Sequence, residues 1–156
     1  KLVDERVYEQ FTKELTKARR LVYLVDNCGE VVLDKLAIQC IKEAYPHLQL
    51  TVVVRGSEVL NDVTIEDARE TGLDKVAEVL ENGTDIAGTE LDCVNEATKQ
   101  AILAADVIVS KGQGNFETLN GCGLNIYYLF LCKCDWFVNR FGLTRNAGVF
   151  IREQEL

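Results

Sequence analysis

The chain has 156 residues, 47% of them hydrophobic and 27% charged, with a net charge of −8 at pH 7. That composition suits one soluble globular domain with a sizeable core, and the acidic balance excludes a nucleic-acid backbone partner, which needs a basic face. No apolar stretch reaches the ~18 residues of a membrane span, and the charged, amphipathic start Lys1-Leu2-Val3-Asp4-Glu5-Arg6 reads as no signal peptide, so a cytoplasmic setting is expected.

Residues 3–20 predict an amphipathic helix, with Val3, Val7, Phe11, Leu15 and Ala18 at helical spacing. The chain does not begin with Met, which reads as a fragment or processed product. Leu21 to Val25 is an apolar run of strand character, followed at once by Asp26-Asn27-Cys28-Gly29-Glu30. Residues 31–45 predict a helix ended by Pro46. Leu50 to Val54 predicts a second buried strand, ending at Arg55-Gly56. In Asn61-Asp62-Val63-Thr64, Thr64 is placed to cap a short helix over 65–71 that Gly72 stops. A short strand over 76–80 precedes the turn signal Glu81-Asn82-Gly83, and a helix over 90–104 is expected with Thr89 as its N-cap. Asp106 to Ser110 is a third strong strand, running into Lys111-Gly112-Gln113-Gly114-Asn115-Phe116-Glu117 and then a helix. Gly121-Cys122-Gly123 reads as a loop, Asn125 to Leu131 as a fourth strong strand, and Val149 to Ile151 as an edge strand. Strands alternating with helices predict an α/β fold with a mostly parallel sheet and helices on both faces.

Six cysteines without a secretory signal suggest reduced thiols. Cys132 and Cys134 lie in a strand-like run and would face the same side, as a thiolate metal pair or, preferably, as two small buried residues. His47 follows Pro46 in a turn and is expected to face solvent, so imidazole chemistry has little to work with. Glu30, Asp34 and the acidic residues in 66–70 read as solvated helix faces.

Successive parallel strands bring their carboxyl ends to one edge, where α/β proteins bind ligands. Asp26 and Asp62 offer carboxylate oxygens there and Asn27 an amide oxygen, a donor set that hard divalent cations prefer. Gly29 opens a helix whose free amides favour an anion, and Gly112 and Gly114 permit a tight loop around phosphate oxygens. Lys111 adds a point charge for phosphoryl transfer. The glycines form neither a P-loop nor a Gly-x-Gly-x-x-Gly fingerprint.

The segments Asp26-Asn27-Cys28-Gly29-Glu30, Val54-Arg55-Gly56, Asn61-Asp62-Val63-Thr64 with Asp67-Ala68, Asn82-Gly83 with Gly88-Thr89, and Ser110 to Glu117 occur in that order in a known family. Over about residues 15 to 152 the chain resembles the metal-dependent damage-control phosphatases, once catalogued as domain of unknown function eighty-nine, and within them the compact archaeal and bacterial branch. The resemblance implies a three-layer α/β/α fold with a Rossmann-like sheet. It implies a divalent metal (Mn, Co, Ni or Mg) on Asp26, Asn27 and Asp62, and hydrolysis of phosphomonoesters of small metabolites, sugar phosphates or damaged phospho-metabolites. Lys111, Gly114, Asn115 and Glu117 match the loop beside the phosphate. The motif leaves open whether Asp26 attacks phosphorus or only holds the metal; a metal-activated water is preferred.

Family members carry a longer N-terminal helical region, so residues 1–20 are expected to be its remnant and 21–156 the metal- and phosphate-binding domain. Two other readings compete: a Rossmann-like methyltransferase or nucleotide-dependent enzyme, and a non-catalytic module that binds a phospho-metabolite. The acidic surface and the edge near 149–151 permit a homo-oligomer without requiring one.

Overall fold

The computed structural model describes residues 4–155. Among them, six strands form one sheet: β1 (Arg20–Leu24), β2 (Gln49–Val54), β3 (Glu78–Glu81), β4 (Val107–Lys111), β5 (Ile126–Leu131) and β6 (Gly148–Arg152). The order is β3-β2-β1-β4-β5-β6, parallel throughout except for the antiparallel edge strand β6. Neighbours β1 and β4 are joined to opposite halves of the sheet, so the topological switch point lies between them.

The strands alternate their side chains between two cores, as the period of two requires. On one face Leu21, Tyr23, Val52, Val54, Val107 and Val109 meet α1 (Glu5–Leu15), α2 (Val31–Ala44) and α3 (Ile65–Glu70) through Phe11, Leu15, Ile38 and Ala68. On the other face Val22, Leu24, Val53, Ile108 and Tyr128 meet α4 (Glu96–Leu103), α5 (Gln113–Leu119) and α6 (Asp135–Phe141) through Ile102, Phe116 and Phe137. Phe116 packs within 4.9–5.7 Å of Tyr128, Phe130, Phe137 and Phe141, an aromatic cluster that seats α5 under the sheet edge. This is the expected three-layer α/β/α sandwich.

Several boundaries move, each for a local reason. Helix α1 stops at Leu15, with Thr16 as its C-cap, because Ala18 packs into the core from the turn that feeds β1; Val3 lies outside the described residues. The capping box predicted at Thr64 forms, since Thr64 Oγ1 accepts from the Asp67 amide while Asp67 accepts from the Thr64 amide at 2.8 Å. Gly72 then adopts φ 70°, which ends α3. Helix α4 starts at Glu96 with Asn95 as its cap, not at residue 90 with Thr89. The run past Leu131 is not strand: Cys132 is buried, and Cys134 caps α6, a helix the apolar pattern did not announce. No disulfide joins the six cysteines. His47 is exposed, as expected. None of the described helices is long and apolar enough to cross a membrane.

Candidate active site

The carboxyl end of β1 meets the 59–63 segment directly. The Val63 amide donates to the Asp26 carbonyl and the Cys28 amide to the Asn61 carbonyl, both at 2.8 Å, and Asn27 pairs with Asp62 as an isolated antiparallel bridge. Asp26, Asn27 and Asp62 therefore converge, although Asp62 lies 35 positions beyond Asn27 along the chain. Asn27 Oδ1 accepts the Gly29 amide at 2.7 Å, a turn that closes the strand and starts α2.

Loop and strand from β4 complete the opposite wall. Gly112 has φ 81°, and a Cβ there would lie 2.1 Å from the Asp26 carboxylate, so only glycine lets the two segments touch. Gly88 is similarly pressed against the Gly114 carbonyl, where a Cβ would approach to 2.5 Å. The predicted 111–117 loop is in fact short: Gln113, Gly114, Asn115 and Glu117 already belong to α5. Asn115 is fully buried, donating to the Val25 carbonyl at 3.2 Å and the Lys111 carbonyl at 2.7 Å. Glu117 is exposed, roughly 200° round the helix from Asn115, and is not part of the cluster.

Lys111 does not stand free. Its Nζ donates to Glu30 Oε2 and Asp34 Oδ1, each at 2.9 Å, and Asp34 Oδ1 also accepts from the Tyr23 hydroxyl at 2.8 Å. Burial alone would lower the Lys111 ammonium, but Asp34 and Glu30 outweigh it and hold it above its ordinary value. Asp34, read from sequence as a solvated helix residue, is 3% exposed, because β1 and β4 place Tyr23 and Lys111 opposite it. Glu30 is half-buried and salt-bridged rather than free in water.

The group that sequence reasoning missed is Arg55. It is 1% exposed and salt-bridged to Asp62 Oδ2 at 2.6 Å, with Thr89 and Asn115 as its other partners. A lone arginine after a strand carries no local signal of burial. Thr89 is likewise buried, bonding Asn115 Oδ1 at 2.8 Å instead of capping a helix. Asn82 Oδ1 accepts the Gly56 and Thr84 amides, each at 2.9 Å, and so fixes the turn beside Arg55.

A cleft of about 370 Å³ opens at this edge, lined by Asp26, Glu30, Lys111 and Gly112, with Leu33 and Leu131 on its walls. A wider groove, about 720 Å³, lies at the opposite edge of the sheet beside Arg19, Arg20 and Asp106. The smaller cleft is the one at the carboxyl ends of the parallel strands, where such sheets bind ligands. The Asp26 carboxyl is pushed up to about 6, first by burial and then by Asp62, with Arg55 partly offsetting both.

That rise bears on whether a cation fits. Two carboxylates crowd one partly dry corner, and a divalent ion would relieve their repulsion. Among the described residues no three His, Cys, Asp or Glu side chains cluster to hold a metal ion, so an ion here would draw on two acids and an amide from the chain, with water for the rest. Magnesium-like ions accept that set, since they bind one or two carboxylates and keep several waters.

A doubly wound sheet with an acid–amide–acid corner beside a lysine-bearing glycine turn at its switch point defines an α/β protein of the open-sheet class, whose carboxyl edge is the usual ligand position. The pattern of the damage-control phosphatase ARMT1-like domain matches residues 2–149, and the chain belongs to that family. It is 32% identical to a damage-control phosphatase of Pyrococcus horikoshii over 99% of this chain and 55% of that protein. It is 42% identical to a damage-control phosphatase of Archaeoglobus fulgidus over 87% of this chain and 46% of that one. The crystal structure of the Pyrococcus protein, titled a DUF89 family protein, superposes with a TM-score of 0.87 at 32% identity, covering 93% of this chain and 51% of that one. The chain thus spans about half the length of these relatives.

Proposed function

We propose that this chain is a divalent-metal-dependent phosphatase acting on phosphomonoesters of small metabolites, sugar phosphates or damaged phospho-metabolites. The observation that carries this reading is the meeting of Asp26 with the paired Asn27 and Asp62, and of Asp26 with Gly112 and Lys111 at the cleft. Asp26, Asn27 and Asp62 would hold the ion (Mn, Co, Ni or Mg), which when bound supplies Lewis-acid polarisation of a phosphoryl oxygen. Gly112 and Gly114 bring backbone close, and the first amides of α5 lack partners within their own helix, which favours a phosphoryl group there. Lys111, braced by Glu30 and Asp34, holds a fixed positive charge at the cleft wall for the negative charge that develops on transfer. Names of relatives as damage-control phosphatases support the same reading.

The test is p-nitrophenyl phosphate hydrolysis by metal-stripped protein, with each divalent cation added back, beside Asp62→Ala. Turnover that returns with metal and is lost in the variant is expected. Turnover that survives both chelation and Asp62→Ala would refute the proposal.

A further inference from the structure

Arg55 is the buried cation nearest the candidate metal ligands, yet at 1% exposure it has no route to a substrate in the cleft. Three bonds anchor its guanidinium: Nε to Asp62 Oδ2 at 2.6 Å, Nη1 to Thr89 Oγ1 at 3.5 Å and Nη2 to Asn115 Oδ1 at 3.3 Å. Its backbone amide donates to the Val63 carbonyl at 2.9 Å, one residue beyond Asp62. Its partners are themselves held. Thr89 donates to Asn115, and Asn115 donates to the carbonyls that end β1 and β4. The guanidinium therefore cannot follow Asp62 if that carboxylate turns.

The consequence falls on Asp62. One of its oxygens, Oδ2, is occupied by Arg55, and the side chain is 8% exposed. A carboxylate without that restraint can turn both oxygens toward a cation, adding a ligand and a full counter-charge. Tighter binding of that kind fills coordination positions that a catalytic ion must keep open.

We infer that Arg55 is a positioning residue that reserves one oxygen of Asp62, so that Asp62 offers a divalent ion a single oxygen and leaves the other positions to ligands. The inference rests on the metal reading proposed above. Arginine suits the role because its charge is permanent and its planar fork can hold three partners at once. It predicts that Arg55 weakens metal binding while it supports turnover.

The experiment measures Mn²⁺ binding to the metal-stripped chain by calorimetry, and the rise in melting temperature that saturating Mn²⁺ produces. Arg55→Met should bind Mn²⁺ at least about tenfold more tightly than the parent. Its melting temperature should rise further with Mn²⁺ than the parent's does, since the ion takes over the missing charge. Hydrolysis of p-nitrophenyl phosphate should nevertheless slow. Arg55→Lys, which keeps the charge at Asp62, should return affinity to the parent's level. If the methionine variant does not fold, Arg55→Gln is read the same way. Affinity unchanged or weaker in these neutral variants, with melting lowered equally in the presence and absence of Mn²⁺, would overturn the inference and leave the metal reading standing. No Mn²⁺ binding by the parent chain would overturn both.

Discussion

Replacing Asp26 by Asn should make the metal-free protein more stable at neutral pH. The Asp26 carboxyl sits at about 6 in the folded chain against an ordinary 3.8, through burial first and Asp62 second. Between those values the folded state binds a proton that the unfolded state has released, so stability falls as pH rises and the full deficit holds above about 6. At 1.36 kcal/mol per pH unit the ceiling is about 3 kcal/mol. Asp26 keeps partial contact with water, which reduces the expected gain to ~1–2 kcal/mol. That corresponds to roughly 2–8 °C in melting temperature for a domain of this size. Urea unfolding in chelator, parent beside variant at pH 7.5 and pH 3.5, reads it directly. The gain should be present at pH 7.5 and nearly absent at pH 3.5. A variant no more stable at pH 7.5, or equally favoured at both, would refute the reasoning that burial and Asp62 together disfavour the charged Asp26 carboxylate.

Gly112→Ala combines a left-handed φ of 81° with a Cβ 2.1 Å from Asp26; it should cost roughly 2–4 kcal/mol and abolish turnover, checked by thermal melting and the phosphatase assay. Lys111→Met leaves Glu30 and buried Asp34 without their cation; it should cost about 3–5 kcal/mol at pH 7.5, read by urea unfolding. Thr64→Ala removes the capping-box hydroxyl of α3; about 1 kcal/mol of stability should go, with p-nitrophenyl phosphate kinetics unchanged, because Asp62 is held by Arg55 and the Asn27 bridge rather than by the cap.

The architecture was legible because the strands are apolar runs with clear punctuation, and Asp26-Asn27 announces itself as polar chemistry at the end of one of them. What stayed hidden depends on partners far along the chain. Arg55 looks like an ordinary solvated residue until Asp62, Thr89 and Asn115 close around it. Asp34 looks like the polar face of a helix until Tyr23 and Lys111 meet it. Thr89 has the local signature of an N-cap, but the bond to Asn115 and the anchor of its amide on Thr118 prevail over that signal. Helix α6 is short and aromatic, so its period is hard to tell from that of a strand; only the φ of 61° at Gly142 marks its end.

The contacts that close the cleft span long stretches of chain: Lys111 reaches Glu30 across 81 residues, and Asn115 reaches the Val25 carbonyl across 90. Both cross the switch point, so neither can form before β4 has slotted in beside β1. Bonds of such separation form late, after the loop between them has been closed. Helical and strand content can therefore recover in a refolding chain that still lacks a finished cleft. The cleft thus depends on the β1–β4 seam, and a local opening there would dismantle it while leaving most of the fold intact.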